Sequence, residues 1–159
     1  MATRAPEKVD VDLMFLFGQA GHALATELTA GLAELGITPR DHCVLTHALG
    51  GELTQSRLAE ICALDKTTMV VTMDGLERRG LAERRPSPSD RRARIIAITD
   101  EGERVAQAGA DIIAGVYADV LSTLPPAERE GFVSGLVRLA GGRLSAPVAC
   151  ERPPRRRAL

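Results

Sequence analysis

Apolar side chains with helical spacing mark the first part of the chain. Between Val11 and Leu35 they recur at positions 13, 16, 17, 20, 24, 28, 32 and 35, which is one stripe on a helix of about 3.6 residues per turn. Gly36 is typical of a residue that ends such a helix. A second stripe begins near Pro39, a residue suited to the first helical turn, and stops at Gly50-Gly51. The pattern predicts two helices in this part of the chain.

Two more helical segments follow, with a brief turn between them. Thr54 is a good N-cap for a short helix over Gln55–Cys62, and Asp65 is one for a longer helix over Lys66–Arg79 that Gly80 ends. We expect the apolar residues of both to face the core: Leu58, Ala59, Ile61, Met69, Val70, Met73 and Leu76. The two segments have the proportions of a helix-turn-helix.

After Gly80 the pattern changes to that of short strands. Leu81–Arg85 and Arg94–Ile98 mix apolar and charged residues on either side of a turn with proline and serine, which predicts a two-stranded antiparallel wing. Thr99 and the acidic residues after it favour a helix that reaches Leu124. Pro125-Pro126 then separates it from a last helix that ends at Gly141.

Composition predicts a single domain whose core is aliphatic, because the 159 residues are 45% hydrophobic but include only three Phe, one Tyr and no Trp. No apolar run of about eighteen residues predicts a membrane span, and the start of the chain has no apolar signal-peptide core. We therefore expect a cytoplasmic protein. Residues 1–9 and the basic stretch 143–159 are expected to be disordered.

The net charge of −1 is unevenly distributed along the chain. Residues 54–98 carry 9 basic and 6 acidic side chains, so the helix-turn-helix and the wing form a basic region. A phosphate backbone responds to such local density, because counterion release depends on the cations that contact it. A helix pair followed by a basic hairpin is suited to duplex DNA, with one helix in the major groove and the hairpin in the adjacent minor groove.

The cysteines and histidines predict neither a disulfide framework nor a metal site. The three cysteines are widely spaced with no Cys-x-x-Cys pair, and His42 and His47 lie five residues apart, a spacing that does not place them on one helix face. We expect no metal and no cofactor. Cys43 and Cys62 lie among apolar residues, where an inert thiol is usual, but a cysteine-based redox-sensing regulator remains an alternative.

The junction Leu76–Arg84 and the wing carry a more specific pattern. Asp90 and Arg92 precede a hydrophobic strand that ends in Ile98-Thr99. In this pattern, residues 10–142 resemble the multiple-antibiotic-resistance regulator (MarR) family. The resemblance implies a mainly α fold with a small β-wing, a winged helix-turn-helix. Its dimerisation helices would span about 10–35 and 100–142, and its DNA-binding lobe about 37–99.

Candidate DNA-binding residues lie on three elements. Threonine hydroxyls and methyls near the start of the second helix of the pair read base edges, whereas free N–H groups that open the first helix suit a phosphate. Ordinary capping explains Thr54 equally well. The set is Thr54, Gln55, Ser56, Lys66, Thr67, Thr68, Val71, Thr72, Arg84, Asp90, Arg91, Arg92 and Arg94.

Each part of this set has an expected role. Arg91 and Arg92 would enter a narrow minor groove, with Asp90 holding the Arg92 guanidinium, as the resemblance also implies. Lys66, Arg84 and Arg94 would contact phosphates. Val71 stands where the family often has a long polar or basic residue, so we expect more reliance on DNA shape. The alternative is a solvated charge run that protects an edge hairpin.

The outer helices predict a dimer, because their apolar stripes are wider than a small winged domain covers. A two-fold dimer fits a palindromic operator. The residues expected at its interface or supporting core are Leu13, Phe17, Val116, Val120, Phe132 and Leu136.

The resemblance also implies a small aromatic acid or phenolic effector between the dimerisation helices and the DNA-binding lobe. Arg40 could pair with its carboxylate. The candidate lining is Met14, Phe17, His22, Arg40, His42, Cys43 and His47.

These observations predict a homodimeric, ligand-responsive repressor that binds double-stranded DNA and no membrane. The alternative is a winged-helix module that contacts protein instead of DNA. An enzyme is disfavoured, because no nucleophile–base pair, phosphate loop or metal motif is present in the sequence to carry chemistry.

Overall fold

The computed structural model describes residues 11–51, 53–87, 90 and 93–146. Their contacts divide the chain into two compact units, residues 1–117 and 118–159. The elements are α1 Leu13–Ala33, α2 Pro39–Ala48, α3 Gln55–Ile61, α4 Lys66–Arg78, β1 Ala82–Pro86, β2 Arg94–Ile98, α5 Asp100–Ser122 and α6 Pro126–Gly141. This order confirms the predicted mainly α fold with a small β-wing. Residues 1–9 and most of the predicted tail lie outside the described residues, and residues 143–146 form turns and bends.

Side-chain caps begin the helices of the first unit, as local sequence predicts. Thr54 accepts from the Arg57 N–H at 3.2 Å, and Asp65 accepts from the Thr68 N–H at 2.9 Å. Both predicted N-caps are therefore confirmed. At α2, Thr38 forms a capping box with Asp41, in which each side chain accepts from the other residue's backbone N–H.

The core of the first unit is aliphatic and lies among α2, α3, α4, β2 and the end of α1. Its fully buried side chains are Leu32, Val44, Leu45, Leu58, Met69, Met73, Leu76 and Ile96. The expectation that Val70 and Ile61 face this core is wrong, since they are 37% and 38% exposed. Val70 lies beside the stripe of Met69, Met73 and Leu76, and Ile61 is in the last turn of a seven-residue helix.

The first part of α5 packs closely against the rest of this unit through glycines. An alanine Cβ at Gly102 would lie 1.9 Å from the Leu81 carbonyl oxygen, and one at Gly109 would lie 2.4 Å from the His42 ring. The His42 Nε2 is 3.0 Å from the Ala106 carbonyl oxygen, which satisfies this buried imidazole. The missing side chains thus let α5 approach both the wing and α2.

The wing is a two-stranded antiparallel sheet that is attached to the start of α3. Its register pairs Ala82 with Ile98 at one end and Pro86 with Arg94 at the other. The Ile96 N–H donates to the Leu53 carbonyl oxygen at 3.0 Å, beside an isolated bridge between Thr54 and Ile95. These bonds fix the wing relative to the helix-turn-helix.

The second unit contains the end of α5 and all of α6. The Arg129 guanidinium donates to the carbonyl oxygens of Leu124 and Ser122 at 3.0 and 3.1 Å, which closes the turn between the helices. α6 has no buried residue, and Phe132 and Val137 are 48% and 65% exposed. None of the described helices is both long and apolar enough to cross a membrane.

Candidate nucleic-acid interface

One side of α4 is exposed to solvent within the described residues. Lys66 and Thr67 are exposed in its first turn, and Val71 one turn later is 64% exposed. Thr67 and Val71 are four residues apart and therefore share a face. This face is the one that sequence analysis assigned to base edges.

The first turn of α4 is held by Asp65 and Thr68. The Thr68 hydroxyl donates to Asp65 Oδ2 at 2.6 Å while its N–H donates to Oδ1. These bonds from Thr68 hold the pKa of the Asp65 carboxyl below its usual value, so the cap is ionised at neutral pH. Thr68 is half-buried, and its hydroxyl already has this partner.

The expectation that Thr72 faces outward is wrong. Thr72 is only 6% exposed, and its hydroxyl donates to the Thr68 carbonyl oxygen at 2.8 Å. A threonine inside a helix commonly satisfies its hydroxyl in this way. The available reading face is therefore narrower than the sequence predicts and contains Lys66, Thr67 and Val71.

An open groove of about 410 Å³ runs between α4 and the start of α2. It is lined by Gly36, Thr38, Arg40, Asp41, Val71, Thr72, Gly75, Arg78 and Arg79. Arg79 is held across it by an ion pair to Asp41 at 3.1 Å, while Arg40 and Arg78 are exposed. The groove therefore places positive charge beside the exposed face of α4.

Arg84 is engaged by other side chains of the protein, whereas the sequence suggests that it contacts a phosphate. Its guanidinium forms ion pairs with Asp74, at 2.8 Å, and with Glu77, and donates to Gln55 Oε1 at 2.8 Å. The side chain is 22% exposed. Arg84 consequently connects α4, β1 and the start of α3, and Gln55 is part of the same network rather than a free phosphate ligand. The two acidic residues spaced three apart on α4 were the sequence signal for this role.

We expect Arg84→Met to reduce the free energy of unfolding by about 1–2 kcal/mol, because a hydrogen bond to a charged group contributes about 1.5–3 kcal/mol and this one is partly solvated. Urea denaturation followed by circular dichroism measures the effect. Arg85→Met is the matched control, since Arg85 is 61% exposed and pairs only with Glu83 among the ion pairs of the described residues. Equal losses in the two variants would contradict the connecting role of Arg84.

The loop between the strands is closed by backbone hydrogen bonds. The Ala93 N–H donates to the Asp90 carbonyl oxygen at 3.0 Å, and the Ser87 N–H donates to the Ala93 carbonyl oxygen at 3.1 Å. Arg94 is exposed on β2. Arg91 and Arg92 lie outside the described residues, so the contact from Asp90 to Arg92 and the contact of both arginines with the minor groove stay predictions.

The three candidate DNA-binding residues at the start of α3 have different roles in the structure. The Thr54 hydroxyl is the helix cap, Gln55 binds Arg84, and Ser56 is exposed. Ser56 is therefore the one of these three side chains that combines exposure with a position in the first turn of the helix.

The structure does not bring the seven predicted effector-binding residues into one cavity. Arg40 lines the groove beside α4, which none of the other six does. His42 is buried against Ala106, whereas Cys43 and His47 lie near Cys62. On α1, Met14, Phe17 and His22 are exposed. The residues of α2 point to different neighbours because they lie on different faces of that helix.

The environment of Cys62 favours the protonated thiol. Partial burial and the neighbouring Cys43 raise the pKa of the Cys62 thiol to about 12. Since the thiolate is the form that oxidants attack, this environment disfavours redox sensing through Cys62. Cys150, the third cysteine, lies outside the described residues.

The geometry defines a winged helix-turn-helix protein, with α3 and α4 as the helix pair and β1–β2 as the wing. A model of the MarR family matches residues 35–93, a region that contains α2, α3, α4 and β1. Similar solved structures have comparable lengths. A MarR-family transcriptional regulator from Rhodococcus sp. RHA1 is 25% identical with a TM-score of 0.71, over 86% of this chain and 96% of that one.

Structures of two other regulators, CouR and PcaV, are also similar to this chain. The transcriptional repressor CouR bound to a 23-mer DNA duplex is 25% identical with a TM-score of 0.74, over 87% of this chain and 99% of that one. CouR from Rhodococcus jostii RHA1 bound to p-coumaroyl-CoA is 26% identical to this chain with a TM-score of 0.70. The match covers 92% of this chain and 100% of that one. The PcaV transcriptional regulator from Streptomyces coelicolor is 25% identical to this chain with a TM-score of 0.74. The match covers 86% of this chain and 100% of that one.

Residues 35–93 of this chain therefore match the MarR family, and the similar solved structure from Rhodococcus sp. RHA1 is a MarR-family transcriptional regulator. This confirms the resemblance carried by the wing and the α4–β1 junction. The similar solved structures are regulators of transcription rather than enzymes.

Proposed function

We propose that this protein is a homodimeric repressor that binds a palindromic operator through α4 and the wing. The observation that carries the proposal is the exposed face of α4 beside a basic hairpin that is fixed to the same lobe. A helix in the major groove presents residues of its first turns to base edges, and Lys66, Thr67 and Val71 are exposed there. The DNA-bound relative CouR supports this mode of binding.

Apolar residues without partners in the described chain support the dimer. On α1, Leu13 and Phe17 are 63% and 43% exposed, and on α6, Phe132 and Leu136 are 48% and 36% exposed. Val120 is also exposed, and Val116 is half-buried. Exposed apolar surface of this extent is typical of an interface. A second copy would bury it, and the two-fold symmetry of the dimer would require an inverted-repeat operator.

A small aromatic or phenolic acid derivative is the proposed effector, and the cytoplasm is the proposed location. The relative CouR was solved with p-coumaroyl-CoA, which combines a phenol with an acyl group. Such a ligand releases DNA if it binds more tightly to one conformation of the dimer than to the other. The favoured conformation is the one in which the distance between the two α4 helices does not match the distance between successive major grooves.

Selection of duplexes from a random pool tests the proposal. We expect an inverted repeat whose half-sites are about 10–10.5 base pairs apart, or a multiple of that, and a dimer by light scattering. Arg92→Ala should weaken binding to the selected duplex severely and leave the dimer intact. A monomer with no duplex preference at low salt would contradict the proposal and favour a protein-interaction module. Repeating the selection with a panel of phenolic acids tests the effector.

A further inference from the structure

A cluster of two thiols and an imidazole lies between α2 and the end of α3. The Sγ atoms of Cys43 and Cys62 and a ring nitrogen of His47 all lie within 4.8 Å of one another. Cys43 Sγ is 3.7 Å from His47 Nδ1. Cys43 and His47 share one face of α2 because they are four residues apart.

The fold holds the third member of the cluster in place through a defined helix end. Cys62 follows the last residue of α3, and Ala63 after it has a positive φ of 51°. The Leu64 N–H donates to the Ala59 carbonyl oxygen at 2.8 Å, which closes the turn. Leu58 in the same helix is fully buried. Cys62 is therefore positioned by a packed helix and not by a free loop.

We propose that Cys43, His47 and Cys62 form a zinc site that joins α2 to the end of α3. Zinc binds thiolate sulfur at about 2.3 Å and imidazole nitrogen at about 2.0–2.1 Å in tetrahedral geometry, which places two sulfur ligands about 3.8 Å apart. In the same geometry a sulfur and a nitrogen ligand lie about 3.6 Å apart. The ligand atoms, which lie within 4.8 Å of one another, therefore need to approach by about 1.2 Å at most.

The donor set favours zinc over magnesium and calcium, which prefer oxygen ligands. Both cysteines are half-buried and His47 is exposed, so the site is open to solvent on one side. Water completes the fourth position. Ligation through His47 Nδ1 replaces the contact that this nitrogen makes with the Cys43 carbonyl oxygen at 2.9 Å.

Zinc at this position would fix the start of α4. Asp65, the cap of α4, follows Cys62 by three residues, so the metal would restrain the turn between α3 and α4. Metal that binds the folded state and not the unfolded chain raises the melting temperature. This consequence does not depend on DNA binding, and its test is independent of the proposed function.

The test uses the untagged full-length protein, reduced with a phosphine and freed of metal. We expect one equivalent of Zn²⁺ to bind, a higher melting temperature, and sulfur-to-metal charge-transfer bands when Co²⁺ replaces zinc. Cys62→Ser and His47→Gln should each lower zinc affinity more than about a hundredfold, because loss of an outer-shell partner alone costs about 10- to 100-fold.

Two variants serve as matched controls. Cys150→Ser removes the third cysteine, and His22→Gln removes an exposed histidine of α1; both should bind zinc as the parent does. His47→Gln keeps the test decisive if Cys62→Ser does not fold, since His47 is exposed. Absence of bound zinc, or wild-type affinity in His47→Gln, would overturn the proposal.

Discussion

Gly102→Ala is expected to destabilise the first unit by about 3 kcal/mol. Its Cβ would lie 1.9 Å from the Leu81 carbonyl oxygen and 2.7 Å from Ile98 Cγ2. Inserting an atom into a packed region typically costs about 1–3 kcal/mol. We expect the upper end here, because a backbone oxygen cannot rotate away as a side chain can. Moving it would also disturb the bond that the Thr99 N–H donates to this oxygen at 3.2 Å.

Gly115→Ala in the same helix is the matched control. No atom lies within 4 Å of a Cβ at Gly115, so the substitution adds helix propensity without a clash. We expect it to raise the free energy of unfolding by about 0.5–1 kcal/mol. Urea denaturation of the parent and both variants measures the two effects. A loss below about 1 kcal/mol in Gly102→Ala would contradict the close approach of α5 to Leu81.

Val71→Glu is expected to weaken operator binding about tenfold or more with little change in stability. Val71 is 64% exposed, so replacing it removes little packing. In the major groove of the DNA, the new carboxylate would lie close to phosphates. The substitution would also remove any apolar contact between Val71 and a thymine methyl. A change of about 1–3 kcal/mol for one base-reading position corresponds to roughly 5- to 150-fold in affinity. Fluorescence anisotropy with the selected duplex measures this change.

Val71→Arg is the control with opposite charge at the same position. It should strengthen binding to random duplex and steepen the dependence of log affinity on log salt by about 0.9, as one further phosphate contact does. Exposed substitutions usually change stability by less than about 0.5 kcal/mol, so both variants should unfold as the parent does. If neither variant alters DNA affinity, α4 does not enter the groove.

Much of the fold was predictable because its information is local. Thr54 and Asp65 accept hydrogen bonds from residues three positions ahead in the chain, so a short sequence window contains both partners. The helix ends near Gly36 and Gly80 are also local, since both residues have φ near +68°, a conformation that glycine adopts without strain. The same windows predicted the wing and the resemblance to the MarR family.

The side-chain roles were less predictable, because several depend on partners that are distant in sequence. Arg84 meets Gln55 from 29 residues away, and this partner converts an expected phosphate ligand into a connection between three elements. The zinc ligands show an intermediate case. Cys43 and His47 are four residues apart and share a face of α2, but only the packing of α3 brings Cys62 to them.

The sequence by itself determined the order of helices and strands, their caps, and the basic helix-turn-helix and wing. Caps, turns and apolar periodicity act within a few residues, so they need no knowledge of packing. Only the tertiary structure decided that Thr72 is buried, that Arg84 is engaged by Asp74 and Glu77, and that Cys62 meets α2. Those outcomes depend on how helices pack against one another, and a one-dimensional pattern does not specify that packing.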